Sequence, residues 1–333
     1  MRKITILFLI TLCLSCKEEK QIKFSLTGTT NSIEDGTLLF LDIESHNILD
    51  STIVVDNKFA FERNLPEPIV TGILRTKDFS HYRFIWLEND DMTFDASNTD
   101  FRNAKITGSE SETLSQKLYN LVKEVEPHSK EQREIEQKFI NNNPNSIVSA
   151  NILATYSTTW GKETTEKLFN NFSLENKNTL YGKEIASFIE LNKNPRIGDY
   201  YVDFEMKNTT GKTLKLSDNL GKLTLLEFWS SNCAPCKKEN PNLIKTYNRF
   251  NSFGFEIFAV SHDIDKEKWI KAIETDKLAW IHVSDLKRSD KASLIYGING
   301  IPDNFLINEE GIIVGRNLRG EKLNNKIIEL IGD

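Results

Sequence analysis

Two cysteines stand three apart in the stretch Trp229–Pro241, WSSNCAPCKKENP. Cys233 and Cys236 can form a dithiol–disulfide couple, supply half of a metal site, or be two buried thiols. A tetrahedral zinc site needs four ligands, usually two such pairs or added histidines. The five histidines, His46, His81, His128, His262 and His282, show no paired spacing, so no metal is expected. A purely structural disulfide gains most when it closes a long loop, and this one would close almost none. Redox chemistry is the reading this spacing favours, and it needs a thiolate at one sulfur. A free thiol titrates near 8.5 and is mostly protonated at neutral pH. The residues around the pair must supply the difference.

The flanking pattern does so. The apolar run KLTLLEFWS reads as a strand, and a helical run begins at the cysteines. Cys233 then sits at a helix N-terminus, where unpaired N–H groups and the helix dipole favour negative charge. Pro235 falls in the first turn, where its missing N–H costs no helix bond. On this reading Cys233 is the exposed attacking sulfur and Cys236, one turn in, the resolving sulfur. Lys237 and Lys238 add positive potential that solvent largely screens.

The N-terminus carries the other two cysteines, Cys13 and Cys16. MRKITILFLITLCLSC has a basic start and an apolar run from Ile4 to Leu14. That run is too short to span a bilayer and fits the core of a secretory signal. Cys13-Leu14-Ser15-Cys16 resembles a bacterial lipobox, with Cys13 where Leu is usual. The resemblance implies a signal peptide over 1–15, lipidation at Cys16 and a polar tether over 16–21. Lys17 after that cysteine resembles lipoproteins sent onward to the outer membrane. Cys13 would leave with the signal and Cys16 be consumed by lipid, so the mature chain keeps one pair. The full chain has 42 Lys and Arg against 48 Asp and Glu, a net −6; loss of Arg2 and Lys3 leaves 40 against 48, or −8. No basic block is present, so nucleic acid is not expected as a partner.

Three stretches make up the body of the chain. Residues 22–110 alternate short β-rich runs with Asn, Asp, Gly and Pro, reading as a small antiparallel sandwich or barrel, with a hairpin turn at Asp56-Asn57. Residues 111–195 switch to helical spacing, with Leu114, Leu118 and Leu121 on one face and NKNP as a linker. Residues 196–333 run strand, helix, strand, helix, hairpin, helix, which implies an α/β layer fold with a mixed central sheet.

The segment LLEFWSSNCAPCKKENP is similar to the redox segment of thioredoxin-fold proteins, and YGINGIPDNFLINEEGIIV to the loop and hairpin that carry their cis-proline. Together they resemble the TlpA-like branch of membrane-anchored thiol-disulfide oxidoreductases. The stretch ahead resembles a β-rich domain of unknown function found in Bacteroidetes lipoproteins. The resemblance implies a buried acid at Glu227 that takes the proton of Cys236, and a cis-proline at Pro302. It also implies substrate contacts from Trp229, Ala234, Pro235 and the Ile301 backbone. Asp303 replaces the usual Thr after that proline and is expected to narrow substrate charge. His262 reads as structural. No cofactor is implied. The expected function is a lipid-anchored, periplasm-facing reductant of disulfides in exported proteins, fed by a membrane thiol donor. Two alternatives stay open: a binding lipoprotein whose β-rich domain captures a partner, and a thiol peroxidase, for which SSNC lacks the usual Thr.

Overall fold

The computed structural model describes residues 23–43, 47–287 and 289–331. The expected signal, tether and lipid cysteine lie outside the described residues. The chain divides into two compact units, Met1–Glu126 and Pro127–Asp333.

The first unit is built from β1 (Phe24–Thr30), β2 (Leu38–Ile43), β3 (Asn47–Ile53), β4 (Lys58–Arg63), β5 (Ile69–Thr76), β6 (Tyr82–Glu88), β7 (Asp91–Ala96), β8 (Lys105–Thr107) and the helix α1 (Glu110–Val122). Two four-stranded sheets form, ordered β4-β1-β7-β8 and β3-β2-β5-β6. Alternate residues of the strands other than β3, among them Phe24, Leu26, Leu39, Leu41, Leu74, Leu87 and Phe94, fill one shared core, with Leu49 of β3 packed against it. This is the sandwich expected from the period-2 pattern. Asp56 and Asn57 both take positive φ in a turn closed by the Val55–Lys58 bridge. The Asp35 carboxylate accepts from both of their N–H groups, at 2.9 and 3.0 Å. The turn carries the chain from one sheet to the other. One pairing differs from the antiparallel expectation: β1 and β7 run parallel, a contact between segments about sixty residues apart that local pattern does not encode.

In the second unit five helices come first: α2 (Lys130–Asn142), α3 (Ile147–Trp160), α4 (Lys162–Asn170), α5 (Leu174–Asn178) and α6 (Leu180–Leu191). The α/β part follows as β9 (Glu205–Lys207), β10 (Thr213–Lys215), β11 (Leu223–Trp229), α7 (Ala234–Phe250), β12 (Phe255–Ser261), α8 (Lys266–Asp276), β13 (Ile281–Val283), α9 (Lys291–Tyr296), β14 (Asp303–Asn308), β15 (Ile313–Arg316) and α10 (Glu321–Ile331). The central sheet is ordered β13-β12-β11-β14-β15. β11, β12 and β13 are parallel, β14 runs antiparallel to β11, and β15 antiparallel to β14, so the sheet is mixed. All seven residues of β11 are buried, as a central strand covered on both faces requires. One face packs Trp229, Ile257 and Leu306 with Leu243, Trp269 and Leu323 of the helices. The other packs Phe228, Phe258 and Phe305 with Tyr296. Residues 192–194 are fastened to α9: the Asn192 side chain donates to the Leu294 carbonyl at 2.8 Å, and the N–H groups of Lys193 and Asn194 both reach that of Ile295. The β9–β10 hairpin was not anticipated from the sequence.

Candidate redox site

β11 ends at Trp229, a turn follows, and α7 begins at Ala234 with Cys233 as its cap. Cys233 and Cys236 form a disulfide, with Cα atoms 5.2 Å apart. Cys233 retains 9% of its surface and Cys236 none. The Cys236 N–H points at the Cys233 sulfur at 3.1 Å, the helix-terminus donor that the sequence implied. Ala234 and Pro235 are exposed beside it, where an incoming chain can meet them.

The turn before Cys233 is held from below by a residue that no motif announced. Asp263 is buried, two residues past the end of β12. Its carboxylate accepts from the Ser231 N–H at 2.9 Å, the Ser231 hydroxyl at 2.5 Å and the Ser261 hydroxyl at 2.7 Å. Ser284 in turn donates to the Ser261 carbonyl at 2.9 Å. A buried carboxylate with three donors is satisfied rather than destabilising, and here it fixes the loop that presents the attacking sulfur.

Glu227 lies on the sheet face that packs against α7. Register places it between Ala259 of β12 and Asn304 of β14. Ala259 in turn faces His282 of β13. Glu227 is 4% exposed, and burial pushes its carboxyl up to about 8, with the negative charge of Glu239 adding to the rise. Glu239, on α7, is a second acid that the sequence reading passed over. It accepts from Gly320 N–H and from the Asn242 side chain, each at 2.8 Å. His282 is buried too, and desolvation drives it down to about 3, so it is neutral at physiological pH. The expected substrate contact through Trp229 is not available. Its indole is 1% exposed and packs edge-on against the His282 ring, so it supports the site from beneath.

The Ile301–Pro302 peptide is cis. Ile301 is half-buried and packs on the cluster that holds both cysteines. Asp303 does not present a free charge to an incoming chain: Arg316 binds its carboxylate at 2.8 Å, and the pair offsets itself. The Pro302 carbonyl is instead taken by the guanidinium of Arg319. Arg319 belongs to a loop, Asn317–Gly320, that the sequence reading left as the end of a hairpin. Asn304 pins that loop by donating to the Leu318 carbonyl at 2.8 Å and accepting from its N–H at 3.0 Å. His262 contacts Ser293 at 2.7 Å and Asp290 at 3.3 Å through one ring nitrogen. A nucleophilic triad would use both ring nitrogens, so this is a structural cluster, as expected. Among the described residues, no group of histidines, cysteines and acids is arranged to hold a metal ion.

The structure therefore gathers Cys233, Cys236, Glu227, Ala234, Pro235 and the Ile301–Pro302 loop at one end of β11, with Trp229 below them. Comparison with known proteins points the same way. Residues 197–316 match the AhpC/TSA family and residues 24–114 match a domain of unknown function, DUF4369. The thiol-disulfide oxidoreductase ResA of Bacillus subtilis is 36% identical over 113 residues, 34% of this chain and 62% of that protein. ResA of Halalkalibacterium halodurans is 30% identical over 138 residues, 41% of this chain and 77% of that protein. A crystal structure of the thioredoxin domain of a Bacteroides vulgatus thiol-disulfide oxidoreductase aligns at 37% identity, covering 41% of this chain and 99% of that one, with a TM-score of 0.38. Through its second unit, the chain belongs to the ResA-like thiol-disulfide oxidoreductases of the AhpC/TSA thioredoxin-fold family.

Proposed function

We propose that this protein is a lipid-anchored reductant of disulfides in exported proteins. The observation that carries the reading is the asymmetry of the sulfur pair: Cys233, at a helix N-terminus, keeps 9% of its surface rather than the open exposure expected from the sequence, while Cys236, one turn behind it, keeps none. Reduced Cys233 attacks a substrate disulfide as a thiolate, forming a mixed disulfide and expelling the substrate's other sulfur as a thiolate that solvent protonates. Cys236 then gives its proton to ionised Glu227 and attacks the Cys233 sulfur. The bond from Cys233 to substrate breaks, and the second substrate sulfur leaves. Two electrons pass from the dithiol to the substrate. With its carboxyl raised to about 8 by burial, Glu227 is a far stronger base than an ordinary carboxylate, which favours the transfer. A membrane thiol donor restores the dithiol. Cys16 carries the lipid, the protein faces the periplasm, and the outer membrane is its destination.

The test is reduction of insulin by the purified protein with dithiothreitol as donor. Turnover falls to the uncatalysed rate in Cys233→Ser. Insulin reduction that is equal in wild type and Cys233→Ser refutes the reading and leaves the second unit as scaffold for a binding lipoprotein. Consumption of hydrogen peroxide faster than insulin would favour the peroxidase alternative instead.

A further inference from the structure

We propose that Arg319 sets the substrate preference of the site, selecting disulfides whose flanking residues carry carboxylates. The inference rests on the redox reading above and deepens it. Ile301 packs on the cluster that contains Cys233, so a polypeptide reaching that sulfur runs beside exposed Asn232, Ala234 and Pro235 and beside the Asn299–Pro302 loop. The backbone N–H and carbonyl of Ile301 are bonded to no described residue, which leaves them to pair with an extended segment. Whatever charge stands beside that path meets the residues that flank the substrate cysteine.

The charges there are unequal. Asp303 is offset by Arg316, whose guanidinium also lies over the Phe305 ring at 4.6 Å. Glu239 is half-buried, and a backbone N–H and an amide hold its carboxylate without cancelling its charge. Arg319 has no counterion of the kind Arg316 provides for Asp303. It is exposed, and its Nη2 donates to two neutral acceptors, the Pro302 carbonyl and the Asn317 side chain, the latter at 2.7 Å. Among the described residues no carboxylate lies within ion-pair distance of it, so its Nε and Nη1 donors remain free. The loop is not slack, because Asn304 clamps Leu318 and Glu239 clamps Gly320. The cation is therefore held at the Pro302 carbonyl rather than waving in solvent. A guanidinium with one edge anchored and another open suits a carboxylate. Exposed Lys237 and Lys238, near the start of α7, reinforce the sign, in a chain whose net charge is −6.

The experiment uses three disulfide-closed peptides, identical except for Glu, Gln or Lys beside each cysteine. Exposed charge pairs interact weakly, so the kcat/KM of wild type is expected to favour the Glu peptide over the Lys peptide by about threefold at low salt. Half-molar salt should erase the difference. Arg319→Lys keeps most of the preference and Arg319→Glu inverts it. The Gln peptide reports any loss from disturbing the Pro302 loop, separately from charge. An Arg319→Glu ratio equal to that of wild type overturns the proposal, as does a wild type indifferent to the flanks. No turnover of the Gln peptide by wild type would instead sink the redox reading. The charge claim would then be read from the affinity of serine-substituted peptides, using the amide shifts of Ile301 and Arg319 in solution. Equal affinity of the Glu and Lys peptides overturns it there too.

Discussion

Glu227 is the residue whose chemistry and stability cost are tied together most tightly. An unfolded chain ionises this carboxyl above about 4.5, while the folded protein keeps the proton until about 8. The unfolded state therefore binds fewer protons between those values, and folding stability falls as pH rises through that window. At 1.36 kcal/mol per unit, the penalty at pH 7 is about 3 kcal/mol. Glu227→Gln removes the titration. Urea unfolding of the oxidised protein should show the variant matching wild type at pH 4 and exceeding it by about 3 kcal/mol at pH 7. Resolution by Cys236 should move the opposite way. In wild type its rate climbs with pH up to about 8 as the carboxylate forms, and in Glu227→Gln that limb disappears. A variant no more stable than wild type at pH 7 would mean the carboxyl is not desolvated as described. An ionised Glu227 would disfavour thiolate nearby, but at pH 7 the group is mostly neutral and exerts little such effect. Glu227 was legible because an acid stands out in an apolar strand. Asp263 was not, since nothing local tells a serine-ligating buried Asp from a solvated one.

At the scale of elements, what was legible in the sequence had a local signal. β11 is a continuous apolar run, α7 opens on Cys-x-Pro-Cys, and the β14–β15 hairpin turns at Gly311, where φ is +82°. Each signal lies within a few residues of the element it marks. The parallel pairing of β1 with β7, the short β9–β10 hairpin and the clamp on Asn317–Gly320 depend on partners far along the chain. No window of neighbouring residues carries that information. Helix α1 shows the same limit from another side. Its period is readable, yet Leu121 is 49% exposed while Glu112 is 2% exposed, because Glu112 binds Arg83 and the Trp86 N–H. Polar pairing overrode the apolar stripe, and burial pushes the Glu112 carboxyl above its usual range in spite of those bonds.

The whole molecule couples a β-rich unit of unassigned role to a redox unit. No helix among the described residues is long and apolar enough to cross a membrane, so membrane attachment rests on Cys16 in the proposal. Cys16→Ser, with the signal still cleaved, is expected to move the protein from the membrane to the soluble fraction. Retention of that variant on membranes would mean that another surface holds it. The direction of electron flow is the central claim, and it follows from the helix terminus being the one feature that stabilises a thiolate at Cys233 among the described residues, and only moderately. Ala234 and Pro235 offer its sulfur no side-chain donor, and the Cys236 N–H is the hydrogen bond it receives among the described residues. A poorly stabilised reduced form makes a stable disulfide and a low potential. Equilibrating the Cys233–Cys236 couple of the purified protein against dithiothreitol and glutathione buffers measures this directly. The account predicts a value nearer the roughly −270 mV of thioredoxin than the roughly −120 mV of the periplasmic oxidant DsbA. A potential above about −180 mV would contradict it and make the protein an oxidant.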